Sequence, residues 1–167
     1  MKTRLPLFFL SLLIGSLSAS ARIVAQFDNV DEFTDFSVSG MSEADTQSQL
    51  EYALDRFAQR HLKNTLPEGY TLEITFTDID MAGDIQPWRN RDYEDIRYVE
   101  SIYPPRLDFR YVLRDQRGKE ILSGEERLRD LSFDLALPPI GFNDSFAYEL
   151  QMLKDWARKK IAPLKLK

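Results

Sequence analysis

The chain has 167 residues, with 27 Asp or Glu against 22 Lys or Arg, a formal net charge of −5, one histidine and no cysteine. That acidity argues against general nucleic-acid binding, which needs a basic footprint. The absent cysteines exclude disulfides, thiolate nucleophiles and lipid attachment through sulfur, and a lone histidine excludes histidine-rich metal sites.

Met1 to Ala21 has the three parts of a secretory leader. Lys2 and Arg4 form a positive start, Leu7 to Leu17 an apolar stretch, and Ala19-Ser20-Ala21 the small residues before a cleavage site. The apolar stretch is about half the roughly 20 residues that a membrane-spanning helix needs. The expectation is therefore cleavage after Ala21 and a periplasmic or secreted product without an integral membrane segment. Both leader charges are basic, so residues 22–167, read as a single domain, are more acidic than the whole.

Arg22 to Phe27 reads as a short strand, Asn29 to Glu32 as a polar turn, and Phe33 to Phe36 as two aromatics flanking an acid. Ser42 or Asp45 can cap a helix in which Leu50, Leu54, Phe57 and His61 recur on one face. Ala53, Ala58 and Leu62 widen that stripe, and Leu66-Pro67-Glu68-Gly69 ends it. Tyr70 to Asp78 alternates strictly, with Leu72, Ile74 and Phe76 on the apolar side. A loop follows from Asp80 to Asp92, then a strand over Ile96 to Tyr103 and a break at Pro104-Pro105.

Arg106 to Arg114 alternates again, and Gln116-Arg117-Gly118 suits a three-residue hairpin loop. This register pairs Leu113 with Ile121 and Arg114 with Glu120. Continued unchanged, it would turn Arg127 coreward, so a bulge is expected near Gly124, restoring Leu107 opposite Leu128 and Asp108 opposite Arg127. Leu137 to Gly141 is an extended connector. Asn143 or Asp144 then caps a second helix that buries Phe146, Leu150, Leu153, Trp156 or Ala157, and Ile161. The sum is an α+β two-layer sandwich, with a mostly antiparallel sheet of about four to six strands and both main helices on one face.

The chemistry-bearing residues are few. Asp78 and Asp80 continue the phase of Leu72, Ile74 and Phe76, so an unbroken strand would bury both carboxylates at high cost. Either the strand bulges and brings Ile79 inward, or the acids pair with Arg97 or Arg106, or they cap the turn at Gly83. Asp78, Asp80 and Asp84 also resemble the start of a calcium loop, but Ala82 and Arg89 stand where further oxygen ligands belong. They are weak candidates for a metal site, and structural turn and ion-pair roles are preferred. Trp88, in a polar loop, is read first as a residue folded onto the domain and second as a recognition residue. Arg97 and Arg106 complete the recognition candidates. Arg106, Arg110 and Arg114 share one strand face, where Asp108, Glu120, Glu125 and Glu126 are expected to neutralise them. His61 is expected to be partly buried and non-catalytic. Asn143-Asp144-Ser145 matches a glycosylation acceptor.

Six segments taken together carry a likeness: Phe27 to Phe36, Leu66 to Tyr70, Thr77 to Asp84, Asp95 to Val99, Tyr103 to Leu107 and Gly124 to Leu131. In combination the chain resembles the exported proteobacterial proteins grouped as Domain of Unknown Function 3016. The resemblance implies a secreted or periplasmic protein and supplies no activity, cofactor, partner or catalytic residue. The leading expectation is a non-enzymatic module that binds a protein or an envelope component, with no cofactor. The alternative is a small metal-dependent hydrolase, or a cation-binding protein, built on Asp78, Asp80 and Asp84.

Overall fold

In the computed structural model, which describes residues 21–38, 40–89, 95–135 and 145–166, the alternating segments become strands of one sheet. The strands are β1 (Arg22–Phe27), β2 (Thr71–Asp80), β5 (Arg106–Arg114) and β6 (Glu120–Arg129), in the order β1-β2-β5-β6. β1 runs parallel to β2, and the other two pairings are antiparallel. A two-stranded ribbon, β3 (Asp84–Ile85) with β4 (Arg97–Tyr98), stands apart from this sheet. The helices are α1 (Glu43–Phe57), which carries the chain from β1 to its parallel partner, and α2 (Ala147–Lys160).

α1 forms where expected because Ser42 accepts the Asp45 N–H through its hydroxyl at 3.2 Å, and Glu43 and Asp45 sit in the positive first turn. Its buried stripe is Leu50, Ala53, Leu54 and Phe57. One wider, π-type turn over Ala58–Leu62 extends it and buries Ala58 and Leu62. The regular helix therefore stops before Leu66, although Leu66 is itself buried. α2 begins at Ala147 with Phe146 at its N-cap. Asn143 and Asp144, expected to cap it, lie outside the described residues, as do the glycosylation asparagine, the connector over Leu137 to Gly141, and Met1 to Ser20 of the leader.

Both helices cover the same sheet face. Leu72, Ile74, Phe76, Leu107, Phe109, Tyr111 and Leu113 form one buried cluster with Leu54, Phe57, Leu150, Leu153 and Trp156. Trp156 meets Phe109 and Tyr111 edge-on, with ring centroids 5.1 and 4.9 Å apart. Such contacts add about 0.5–1.5 kcal/mol to the burial itself.

Two strand expectations need correction. Only Arg97 and Tyr98 of the segment Ile96 to Tyr103 are strand; the remainder turns back, with the Tyr103 N–H bonded to the Glu100 carbonyl at 3.0 Å. In the hairpin, Arg114 faces Glu120 and Leu107 faces Leu128 as expected, but the bulge falls at Ile121, so Leu113 pairs with Leu122. Tyr111 explains the shift. Gly124 lies opposite it, and a Cβ at position 124 would come within 3.1 Å of the Tyr111 hydroxyl. Regular pairing is therefore kept where the ring needs a bare backbone, and the extra residue is placed beside the turn. Ile121 is left 39% exposed.

Candidate functional site

The end of β2 resolves the problem set by Asp78 and Asp80. A bulge between Phe76 and Asp78 reverses the alternation, so Ile79 enters the core at 0% exposure and both acids turn to the open face. Asp78 accepts the Thr34 N–H at 2.7 Å and the Thr34 hydroxyl at 2.8 Å, and it is ion-paired with Arg106. Burial pushes its carboxyl up, but the Thr34 bonds and Arg106 together hold it below the usual range. Asp80 moves the other way. Burial raises it first, and the neighbouring Asp35 and Asp78 raise it further against the pull of Arg106. Asp84 lies beyond the turn, on β3 opposite Tyr98. Among the described residues no three His, Cys, Asp or Glu side chains are grouped so as to hold a metal ion.

Arg97 is a latch. Its guanidinium, 11% exposed, donates to both oxygens of Asp35 at 2.7 and 2.8 Å, and to the carbonyls of Gly83 and Ser37 at 3.1 and 2.8 Å. Asp35 in turn bridges to β2, since its N–H bonds the Ile79 carbonyl and its carbonyl accepts the Met81 N–H. One arginine thus joins the segment after β1, the turn after β2 and the ribbon. Gly83 is required at this junction. It has φ 82°, and a Cβ would lie 2.4 Å from the Tyr98 carbonyl oxygen.

Beyond that latch, in the turn after β3, Trp88 is 74% exposed, so the reading of Trp88 as folded onto the domain gives way to exposure. Its described neighbours are paired. Arg89 binds Glu100 at 2.8 Å and lies 4.4 Å over the Tyr98 ring, and Gln86, 6% exposed, donates to the same glutamate at 3.1 Å. The bonds from Arg89 and Gln86 hold the Glu100 carboxyl below its ordinary range. Ile96, Val99 and Ile102 are also exposed on the excursion between β3 and β5. Of the three recognition candidates, Arg97 and Arg106 are engaged in ion pairs and Trp88 is exposed.

The arginine row on β5 is neutralised, with Asp78 on Arg106 and Glu120 near Arg114 among the acids expected, and the direct partners of Arg110 and Arg114 coming from outside the hairpin. Arg106 pairs with Asp78, Arg110 with Asp28, and Arg114 with Glu73 at 2.9 Å, so the partners come from β2 and the end of β1. Glu126 instead holds Lys160 of α2 at 2.9 Å. His61 is half-buried against Phe57, and burial, then Lys154 and Arg60, lowers its pKa. Sequence reasoning missed Asp35, Thr34 and Glu149. Glu149 is 2% exposed and accepts the Ala82 N–H at 2.8 Å, tying α2 to the turn after β2. Its signal was its place in the apolar stripe of α2, three residues after Phe146.

Among the described residues, two open grooves that border the sheet stand out. One, about 550 Å³, is lined by Arg22, Glu73, Arg114 and Gln116; the other, about 500 Å³, lies between β6 and α2 beside Leu128, Met152 and Trp156. Neither is lined by Asp78, Asp80, Asp84 or Trp88. Among the described residues no helix is long and apolar enough to cross a membrane. A family model described as a protein of unknown function (DUF3016) matches residues 21–159. No curated protein matches the chain.

Proposed function

The chain belongs to the DUF3016 family of proteins of unknown function, and from that premise we propose a non-enzymatic binding module that recognises a protein or envelope component. The observation that carries this reading is the exposure of Trp88 in the turn after β3, beside the contacts among Arg89, Glu100, Gln86 and Tyr98. A tryptophan brings a large apolar area to a contact with only two side-chain torsions to order, which is how aromatic residues come to dominate interfaces. Export complements this reading: the leader is removed after Ala21, and the module works in the periplasm or outside the cell.

The experiment attaches a photo-crosslinker at position 88 and exposes the protein to periplasmic and envelope fractions. A recurrent adduct is expected, and Trp88→Ala should weaken capture of the same component at least tenfold, about 1.4 kcal/mol or more. The melting temperature should stay unchanged, because the removed ring is exposed. Equal capture by Trp88→Ala and the parent would remove the proposal. Amino-terminal sequencing of the exported protein tests the address, with Arg22 as the expected first residue.

A further inference from the structure

The two edges of the sheet are built differently. β6 is a guarded edge: it carries Glu120, Glu125, Glu126, Arg127 and Arg129, a glycine and a bulge, all of which discourage a further strand. β1 has no such guard. Between Arg22 and Asp28 the sequence Ile23-Val24-Ala25-Gln26-Phe27 contains no charge, and among the described residues β1 pairs only with β2.

The free side of β1 has a defined hydrogen-bonding phase. The Arg22 N–H bonds the Tyr70 carbonyl and the Asp28 N–H bonds the Phe76 carbonyl, so the even-numbered residues address β2. In a parallel ladder alternate residues use both backbone groups on the same side. Ile23, Ala25 and Phe27 therefore point their N–H and C=O groups away from β2, along the open edge.

We propose that this edge pairs antiparallel with β1 of a second copy, about a two-fold axis at Ala25, to give one continuous sheet. In that register Ile23 faces the partner's Phe27 and Ala25 faces the partner's Ala25, so all the outward-pointing residues meet outward-pointing residues. Exposed Arg22 then stands opposite the partner's Asp28, and Asp28 opposite the partner's Arg22. Backbone phase excludes the registers that would set odd residues against even ones, and charge complementarity picks this register from those that remain. Asp28 keeps room for the second cation, since its side chain is 49% exposed while paired with Arg110. Ile23 and Phe27 pack against the core from this edge, so the pairing also extends the apolar layer across the axis. The symmetry is isologous and closed, which yields a dimer and no fibre. A contact built on one six-residue strand is smaller than the roughly 1,200 Å² of a standard interface. The dimer is accordingly a weak one, with Kd between about 1 μM and 1 mM.

Sedimentation equilibrium of the purified protein up to about 1 mM tests the proposal. The parent should approach twice the monomer mass with rising concentration. Asp28→Arg should place two arginines together at both ends and return the monomer mass, Arg22→Glu should weaken the dimer by removing the attraction to Asp28, and the double reversal should dimerise better than Asp28→Arg. Ala25→Pro removes an outward donor and leaves the β1–β2 ladder intact, so it should also lose the dimer while its circular dichroism matches the parent. A parent that stays monomeric throughout would overturn the proposal. So would single reversals that dimerise as well as the parent, since the contact would then lie elsewhere.

Discussion

Asp78 and Asp80 are two residues apart on the same strand face, yet their surroundings drive their titrations in opposite directions. Asp78 gains two bonds from Thr34 and an arginine; Asp80 sits partly buried beside two other carboxylates. A carboxyl held below its unfolded value of about 3.9 stabilises the fold above that pH, and the benefit is lost as pH falls through the depressed value. Asp78→Asn should therefore lower the melting temperature at pH 7, with the difference closing below about pH 3.9. A carboxyl held above that value does the reverse, since its charge opposes folding at neutral pH. Asp80→Asn should raise the melting temperature at pH 7, and its advantage should vanish below about pH 3.9, where the parent Asp80 is protonated in both states. Thermal melts of both variants between pH 3 and 7 check the two signs together. A shared sign would mean that a rearranged β2 end, and not the charge of either group, sets the result.

At the level of elements, alternation and helical periodicity were enough to find β1, β2, β5, β6, α1 and α2, because each buries one face and that burial writes its period into the residues. The pairing of Leu107 with Leu128 was legible for the same reason. The bulge was not, since its position depends on what stands across the ladder: Tyr111 needs the flat backbone of Gly124, and only the folded sheet shows them opposite each other. Gly124→Ala should accordingly cost about 1–3 kcal/mol through overpacking. It should also perturb the fluorescence of Trp156, which packs on Tyr111, and urea melts followed by that signal measure both effects. An unchanged midpoint would show that the Tyr111 ring yields without cost. The site was less legible than the sheet. Which acid meets which arginine depends on strand neighbours and not on sequence distance. Arg97 found Asp35 and Arg110 found Asp28 across a pairing that no local pattern announces. Trp88 illustrates the same limit, because a tryptophan in a polar loop reads alike whether the loop folds back or stands out.

For the molecule as a whole, the sheet divides its work between its two faces. The helix-covered face supplies the stability, with Phe76 and Phe109 at 0% exposure; truncation of such rings costs about 3–5 kcal/mol each. The opposite face is a lattice of ion pairs, each worth about 1 kcal/mol or less where exposed. Its value lies in keeping a broad sheet surface hydrated and its register unique. The parallel edge strand has a consequence in time. Along β1 the amides of Val24 and Gln26 face β2, whereas those of Ile23, Ala25 and Phe27 face outward, so deuterium should enter the strand in a two-residue beat, slow then fast. At high concentration the beat should flatten, as the fast amides acquire acceptors across the two-fold axis. An exchange map of this one strand would record the occupancy of its open side, amide by amide.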